Sequence, residues 1–196
     1  MASTTRGRPR SFDRDAVLDK AIRLFWRNGY EATSVRDLTE ELGIGAPSLY
    51  NAFGDKRRLF AEAISVYDQE YGGFIDAALA EEPTAKQAAA RAFAEAPACY
   101  TRRGLPAGCL IVTGDVGTAD EEVLAAVRRI RQAKFAAFTD KIRADIAAGE
   151  LPADTDAEAL ARYTMSVLSG MAQAARDGVP RAELERVTKI ALAAWP

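Results

Sequence analysis

Signals for the beginning and the end of a helix recur along the whole chain. Four segments open with a Ser or Thr followed three residues later by an acid or an amide, the helix-capping pattern: 34–37, 84–87, 118–121 and 155–158. Glycine stands where the apolar periodicity stops, at positions 29, 43, 54, 149 and 178. The 196 residues include 40 Ala but only 14 Gly and 8 Pro, which favours helices over a turn-rich β protein. The chain is therefore predicted to be all-α.

These signals divide the chain into a series of helices. The predicted helices cover about residues 13–28, 34–42, 46–53, 55–79, 84–102, 118–148, 155–177 and 180–194. The segment from 104 to 117 is different, because it holds four glycines and the run Leu110-Ile-Val-Thr-Gly, whose composition also fits a strand. We predict a loop followed by a short helix there.

Composition excludes several chemistries. The chain has no His, which removes imidazole catalysis and His metal ligation. Its two cysteines are too few for a structural zinc site or a disulfide framework, and they favour a reducing compartment. The first ten residues lack the apolar core of a signal peptide, and no apolar run approaches the roughly 18 residues of a membrane span. We expect a cytoplasmic protein with no cofactor, no metal and no membrane partner.

Charge is distributed unevenly. The net charge is −2, but residues 1–60 carry a net +3 and the remainder a net −5. The basic arm, residues 1–10, contains Arg6, Arg8 and Arg10 and no acid, which indicates a polyanion partner at this end. Its Arg-Gly-Arg-Pro-Arg segment resembles the core of an AT-hook, so we predict a flexible arm that enters an A·T minor groove. A solvated tail with only non-specific attraction to DNA is the alternative.

Residues 34–53 carry the pattern that is most informative about function. Two short predicted helices are joined by the turn Gly43-Ile-Gly45, and a third predicted helix precedes them, as in a helix-turn-helix unit. The second helix of such a unit enters the major groove and meets base edges. Leu49 and Phe53 have the spacing of residues that face the core, which leaves the opposite face of this helix for DNA. The same arrangement also occurs in enzymes and plain helical bundles.

The remaining residues of this unit are of the kinds that contact DNA. Candidates for the recognition face are small or polar: Ala46, Pro47, Ser48 and Asn51. Asn51 can both donate to and accept from an adenine edge. Candidates for phosphate contacts carry hydroxyls, positive charge or helix-terminal N–H groups: Thr33, Ser34, Arg36, Tyr50 and Lys56. Alternatives stay open, because Ser34 is also explained as a cap, Tyr50 as a packing residue and Asn51 as a solvated one.

The pattern Gly29-Tyr-x-x-Thr-Ser, followed by Leu49-Tyr-x-x-Phe-x-x-Lys, closely resembles the DNA-binding region of TetR-family transcriptional regulators. The resemblance covers about residues 11–71, roughly a third of the chain. Two positions depart from it: Gly45 stands where the family often has a hydroxyl residue capping the third helix, and Ala52 where it often has His. Because of these departures the resemblance does not extend to the operator sequence, whereas the predicted fold is unaffected.

The resemblance implies a domain organisation and a function. It implies an all-α homodimer: an N-terminal three-helix bundle with a helix-turn-helix in residues 11–56, then a larger helical effector-binding and dimerisation domain in residues 57–196, with the fourth helix linking onward to about residue 79. The implied function is a ligand-responsive regulator, a repressor released from double-stranded operator DNA by a small-molecule effector. The alternative is a small helical enzyme, although no Ser/His, Cys/His or phosphate-loop constellation is present.

The C-terminal part predicts a ligand cavity and a dimer seam. Recurring aromatic residues predict the lining of an apolar cavity: Tyr67, Tyr71, Phe74, Phe93, Tyr100, Phe135 and Phe138. Small and apolar stripes on the last two helices predict a four-helix seam between protomers: Leu160, Tyr163, Ser166, Val167, Gly170, Met171, Ala174, Leu184, Val187 and Ile190. Each aromatic residue taken singly is also explained as core, and the stripes as packing within one chain.

The two thiols support a second alternative, redox sensing. Cys99 and Cys109 lie near Arg102 and Arg103 in sequence, and such cations can lower the pKa of a thiol. The competing interpretation is that both are small buried residues.

Overall fold

The computed structural model describes residues 13–196. Within this range the chain forms ten helices and no strand: α1 (Arg14–Asn28), α2 (Val35–Leu42), α3 (Ala46–Phe53), α4 (Lys56–Glu70), α5 (Phe74–Glu81), α6 (Ala85–Tyr100), α7 (Leu110–Thr113), α8 (Glu121–Ala148), α9 (Ala157–Arg176) and α10 (Arg181–Ala193). The all-α prediction is confirmed, and so is the short helix in the 104–117 segment. None of these ten helices is long and apolar enough to cross a membrane.

Local capping explains where the first helices begin. The Asp13 carboxylate accepts hydrogen bonds from the first turn of α1. At the start of α2, the Ser34 hydroxyl accepts from the backbone N–H of Asp37, and the Asp37 carboxylate accepts from the backbone N–H of Ser34. Both orphan donors at this helix end are thereby satisfied, which is the reciprocal bonding of a capping box.

The predicted fourth helix, 55–79, is two helices in the structure. α4 ends at Glu70, and the backbone N–H groups of Tyr71 and Gly72 both donate to the carbonyl of Tyr67. Gly72 and Gly73 follow, and each glycine in a helix interior costs about 1 kcal/mol relative to Ala. α5 begins after this break, at Phe74.

Two of the predicted caps lie one or two residues further along the chain. α8 is capped by Asp120 rather than Thr118, and α9 by Asp156 rather than Thr155. Asp is at least as good a cap as Thr, and a carboxylate is also favoured at the positive end of the helix dipole. The cap predicted at Thr84 is confirmed, because its hydroxyl accepts from the backbone N–H of Gln87.

Two hydrophobic cores meet at α7. The first core joins α1–α4 to Leu110 and Ile111 of α7 and to the beginning of α8. The second core lies among α5, α6, α8, α9 and α10. Cys109, directly before α7, packs against both cores. The helix-turn-helix bundle and the C-terminal domain therefore share a packed interior through α7 and α8, because α8 adds Val123 and Val127 to the first core and Phe138 and Ile142 to the second.

Candidate nucleic-acid interface and cavity

α2 and α3 form a helix-turn-helix unit on a buried scaffold. Leu38 and Leu42 of α2, and Leu49 and Phe53 of α3, are buried. α2 ends at Gly43, whose φ of 67° lies in the left-handed region that favours glycine. The inner faces of both helices are thus buried in the core, and the outer face of α3 is exposed to solvent.

The predicted recognition face lies at the surface. It consists of exposed Pro47, Ser48, Tyr50 and Asn51 with half-buried Ala46. Tyr50 is 47% exposed, so it is not a core residue. Gly45 is the N-cap of α3 and supplies no side-chain cap. The departure from the family pattern at this position therefore leaves the first N–H groups of α3 without a side-chain acceptor.

The residues before α2 differ from the sequence-based expectation. Thr33 is buried and its hydroxyl donates to the carbonyl of Gly29 at 2.6 Å, so the prediction of a hydroxyl contact to phosphate is wrong for the free protein. Ser34 is exposed, but its hydroxyl donates to the Asp37 carboxylate at 2.7 Å, and the hydrogen bonds from Ser34 lower the pKa of Asp37. Arg36 projects into solvent beside Glu40 and stays a phosphate candidate.

Lys56, the first residue of α4, stabilises the segment between α1 and α2. Its ammonium group donates to the carbonyls of Tyr30 and Thr33 at 2.9 and 2.8 Å and lies 4.0 Å from the centre of the Tyr30 ring. Burial lowers its pKa, an effect that nearby carboxylates oppose. Two of its three donors are therefore occupied by the turn between α1 and α2, and its structural role is separate from the predicted phosphate contact.

Replacing Lys56 with methionine (Lys56→Met) is expected to lower the free energy of unfolding by about 1–3 kcal/mol, because two part-buried carbonyls lose a charged donor. Urea denaturation measures this loss. Lys20→Met, at an exposed position of α1, is the matched control and should stay within about 0.5 kcal/mol of the parent protein. A Lys56→Met variant that is as stable as the control, but whose DNA affinity depends less on salt, would make Lys56 a phosphate contact alone.

Sequence reasoning missed Arg58. This residue is exposed, and its side chain lies over Gly54 at the end of α3: a Cβ built on Gly54 would stand 2.8 Å from Cδ of Arg58. An arginine at this place is a phosphate candidate beside the recognition helix. The sequence feature that could have identified Arg58 is its position four residues after Gly54, the glycine that ends α3. The basic arm with Arg6, Arg8 and Arg10 lies outside the described residues.

A small cavity, partly open to solvent, is lined by residues from α4 to α9 and has a volume of about 50 Å³. Three of the seven predicted aromatic residues line it: Tyr67, Phe74 and Tyr100. The prediction is wrong for Tyr71, Phe93 and Phe138, whose side chains pack elsewhere, whereas Phe135 lines an adjoining cavity that shares Arg131, Met165 and Ser169 with this one. The Tyr71 hydroxyl donates to Asp19 of α1 at 2.5 Å, Phe93 and Phe138 are fully buried in the second core, and Phe135 packs beneath Arg162. The periodicity of apolar residues indicates which face of a helix a side chain occupies, and it does not indicate whether that face borders a cavity.

Two basic residues of α8 border this apolar cavity. Lys134 is buried and contacts the carboxylates of Asp68 and Asp76 at 2.9 and 2.7 Å. Burial alone would lower the pKa of Lys134, but the bonds to Asp76 and Asp68 outweigh it and the pKa is raised. Arg131 donates to Asp115 and to two carbonyls of α7. The sequence signal was their place on the buried stripe of α8, between Val127 and Phe138.

The environment of the thiols disfavours redox sensing. Burial raises the pKa of Cys99 and outweighs the lowering by Arg102. Burial also raises the pKa of Cys109, against hydrogen bonds from Tyr67 and from the backbone. A raised pKa keeps a thiol protonated, and the thiolate is the nucleophile in oxidation.

Part of the predicted dimer seam is buried within one protomer. Met171 and Leu184 belong to the second core, so the prediction that they form an intersubunit contact is wrong. The residues that stay at the surface define the α9–α10 face: exposed Ser166, Gly170, Val187 and Ile190 with half-buried Leu160, Tyr163, Val167 and Ala174. The Tyr163 hydroxyl donates to the carbonyl of Ala191, which fixes α10 against α9. Ile190 and Val187 are 75% and 43% exposed, so this face combines exposed apolar side chains rather than a single one.

Two family models match the chain. The one described as "Bacterial regulatory proteins, tetR family" matches residues 17–63, and "Tetracyclin repressor-like, C-terminal domain" matches residues 85–190. Among known sequences, the HTH-type transcriptional repressor ComR of Escherichia coli is 35% identical over 195 residues, which is 98% of this chain and 93% of ComR. The HTH-type transcriptional repressor BdcR of Escherichia coli is 28% identical over 176 residues, 90% of this chain and 85% of BdcR.

Solved structures agree with these matches. A cysteine mutant of the TetR family transcriptional regulator CifR, complexed with 26-bp double-strand operator DNA, has a TM-score of 0.89 and 41% identity, covering 96% of this chain and 100% of that one. A TetR transcriptional regulator from a Rhodococcus species has a TM-score of 0.64 and 36% identity, covering 94% and 100%. The chain thus belongs to the TetR family of bacterial regulatory proteins, and it is a DNA-binding transcriptional regulator rather than an enzyme.

Proposed function

We propose that the protein is a homodimeric repressor that binds double-stranded operator DNA through α3 and releases it when a small molecule enters the cavity. The observation that carries the proposal is the exposed polar face of α3 on a fully buried scaffold, in a chain similar to a regulator solved with its operator. Asn51 reads a base edge, Tyr50 and Ser48 border it, and Arg36 and Arg58 contact phosphates. The protein acts where the DNA is, in the bacterial cytoplasm.

Dimerisation rests on the α9–α10 face. Its apolar side chains include Val187 and Ile190, which are 43% and 75% exposed in one protomer. Gly170 has open space above its Cα, which permits close approach of a second helix. A two-fold pairing through this face forms a four-helix bundle and presents two α3 helices to successive major grooves.

The effector binds in the cavity bordered by α7. Its walls are mostly apolar, and its basic groups are already paired with carboxylates. The cavity is smaller than the roughly 300 Å³ at the lower end of drug-sized sites. Binding of a larger molecule therefore requires its walls to separate. A ligand that favours the separated form lowers DNA affinity by its differential affinity for the two states.

Binding to a selected operator tests the proposed function. Operator sequences are enriched from random DNA, and the affinity of the purified protein is measured for operator and for random DNA at two salt concentrations. Specific binding should exceed non-specific binding by about a thousandfold or more. Asn51→Ala should lose about ten- to a hundredfold for the operator and discriminate less at one base position. Asn28→Ala, an exposed Asn at the end of α1, is the control and should bind as the parent does.

Two outcomes would contradict the proposal. Enrichment that yields no common sequence would mean that α3 does not read bases. An Asn51→Ala variant with the affinity and base preference of the parent protein would remove Asn51 from the interface while leaving the rest of α3 in place.

A further inference from the structure

Arg176, the last residue of α9, contacts the end of α1 in the helix-turn-helix bundle. Its guanidinium donates to the carbonyl of Trp26 at 3.1 Å and to the carbonyl of Arg27 at 3.0 Å. It also donates to the hydroxyl of Thr113 at 3.1 Å. One side chain therefore joins α1, α7 and α9. Resting on the proposed function, we infer that Arg176 is the positioning residue that sets the orientation of α3 relative to the dimer axis, and with it the half-site spacing that the dimer accepts.

The chemistry of the contact suits this role. The last carbonyls of a helix have no partner within the helix, and its C-terminal end carries a partial negative charge. Trp26 and Arg27 belong to the last turn of α1. A guanidinium is planar and presents its donors in a fixed fork, so bonds to two successive carbonyls hold the end of α1 in a defined direction. A flexible ammonium group would not impose the same direction.

α7 supplies a second connection at the same place. The backbone N–H of Tyr30, just after α1, donates to the carbonyl of Gly114 at 2.8 Å. A side chain at Gly114 would collide with the carbonyl of Leu110 and approach the ring of Phe60 to 3.2 Å, so α7 is pressed closely against α4. Arg131 of α8 also donates to α7, to the carbonyls of Ile111 and Val112. The end of α1 is thus fixed to the walls of the cavity as well as to α9.

α9 links this contact to the dimer axis. Gly170 and Ala174 of the α9–α10 face lie within the last two turns of α9, directly before Arg176. α9, which packs across the proposed dimer axis, therefore contacts α1 through its last residue, Arg176. α1 in turn packs on α4 through the buried rings of Phe25 and Phe60, whose centres lie 5.0 Å apart. A rotation of α1 relative to the end of α9 strains the bonds of Arg176 to the carbonyls of Trp26 and Arg27.

Spacing of the operator half-sites provides the test. One added base pair between the half-sites moves them apart by about 3.4 Å and rotates them by about 35°. The parent protein, whose two helix-turn-helix units are held rigidly, should lose affinity steeply for operators with one base pair added or removed. Arg176→Met keeps the apolar part of the side chain and removes the fork. It should bind the natural spacing roughly three- to thirtyfold more weakly and lose much less on the altered spacings, so that the ratio between spacings shrinks severalfold.

Two further variants separate positioning from general stability. Arg162→Met is the matched control, because Arg162 is exposed on the same helix but lies over Phe135 rather than on α1. It should keep the spacing ratio of the parent. Arg176→Lys keeps the charge but not the fork and should fall between the parent and Arg176→Met. Sedimentation at the same protomer concentration shows whether each variant is still a dimer.

The outcomes distinguish this inference from the proposed function. If the parent protein discriminates operator from random DNA and Arg176→Met weakens all spacings by the same factor, or none, the inference is overturned and the proposed function stands. If both Arg176 variants are unfolded or monomeric, Arg176 serves stability and the inference is likewise overturned. If the parent protein itself does not discriminate operator from random DNA, the proposed function fails and the inference fails with it.

Discussion

Replacing Ile190 with aspartate (Ile190→Asp) is expected to give a folded monomer that no longer binds its operator tightly. Ile190 is 75% exposed in one protomer, so the substitution removes little packing within the chain. In the proposed dimer the residue is covered, and a buried charge without a partner costs about 3–5 kcal/mol. Two-fold symmetry places this charge at the interface twice. Once the dimer separates, each helix-turn-helix unit binds DNA alone, and the affinity for the operator falls by about 10²–10⁴.

Sedimentation and operator binding at one fixed protomer concentration measure both effects. Val116→Asp is the matched control, because Val116 is another large apolar residue, 68% exposed, in the loop before α8. The control should stay dimeric and bind as the parent does. An Ile190→Asp protein that sediments as a dimer would show that the α9–α10 face is not the seam.

Phe25→Ala is expected to destabilise the helix-turn-helix bundle more than any surface change. Phe25 is fully buried, its ring centre lies 5.0 Å from that of Phe60 in an edge-on contact, and the Tyr30 ring stacks at 6.4 Å. Removing a buried Phe side chain costs about 3–5 kcal/mol, because transfer energy is lost and a cavity remains. This is a large part of a typical stability of about 5–15 kcal/mol. Operator binding should fall with the folded fraction.

Urea denaturation followed by circular dichroism measures the loss, again at fixed protomer concentration because dimer stability depends on it. Phe135→Ala makes the same chemical change at a half-buried position beneath Arg162 and should cost only about 1–2 kcal/mol. Equal losses for the two variants would contradict the prediction that the fully buried ring of Phe25 contributes more to stability than the half-buried ring of Phe135.

Local signals in the sequence were sufficient to predict the helices of the helix-turn-helix unit. The capping box at Ser34 and the left-handed glycine at Gly43 act through backbone groups a few residues away, and the structure has both. Where two neighbouring residues can serve equally well, local patterns are less exact, as with Asp120 in place of Thr118. The break after Glu70 was missed because the Gly72-Gly73 pair lies within a segment that is otherwise favourable to helix.

Contacts between distant residues could not be predicted in this way. Lys56 matches a family position, but its bonds to Tyr30 and Thr33 span more than twenty residues of the chain. The burial of Thr33 depends on the same packing. Met171 and Leu184 have the periodicity of a seam, yet only the arrangement of α6, α9 and α10 decides that they face inward.

The amino-acid sequence alone determined that this protein is helical, that it has a helix-turn-helix at residues 34–53 and that it resembles a family of DNA-binding regulators. These properties follow from capping, periodicity and motif spacing, which act over a few residues. The tertiary structure alone decided which aromatic residues line the cavity, which part of α9 and α10 is free to meet a second copy, and that Arg176 reaches the end of α1. Those properties depend on how whole helices pack against each other, and the rotation of one helix against another is set by many weak contacts at once.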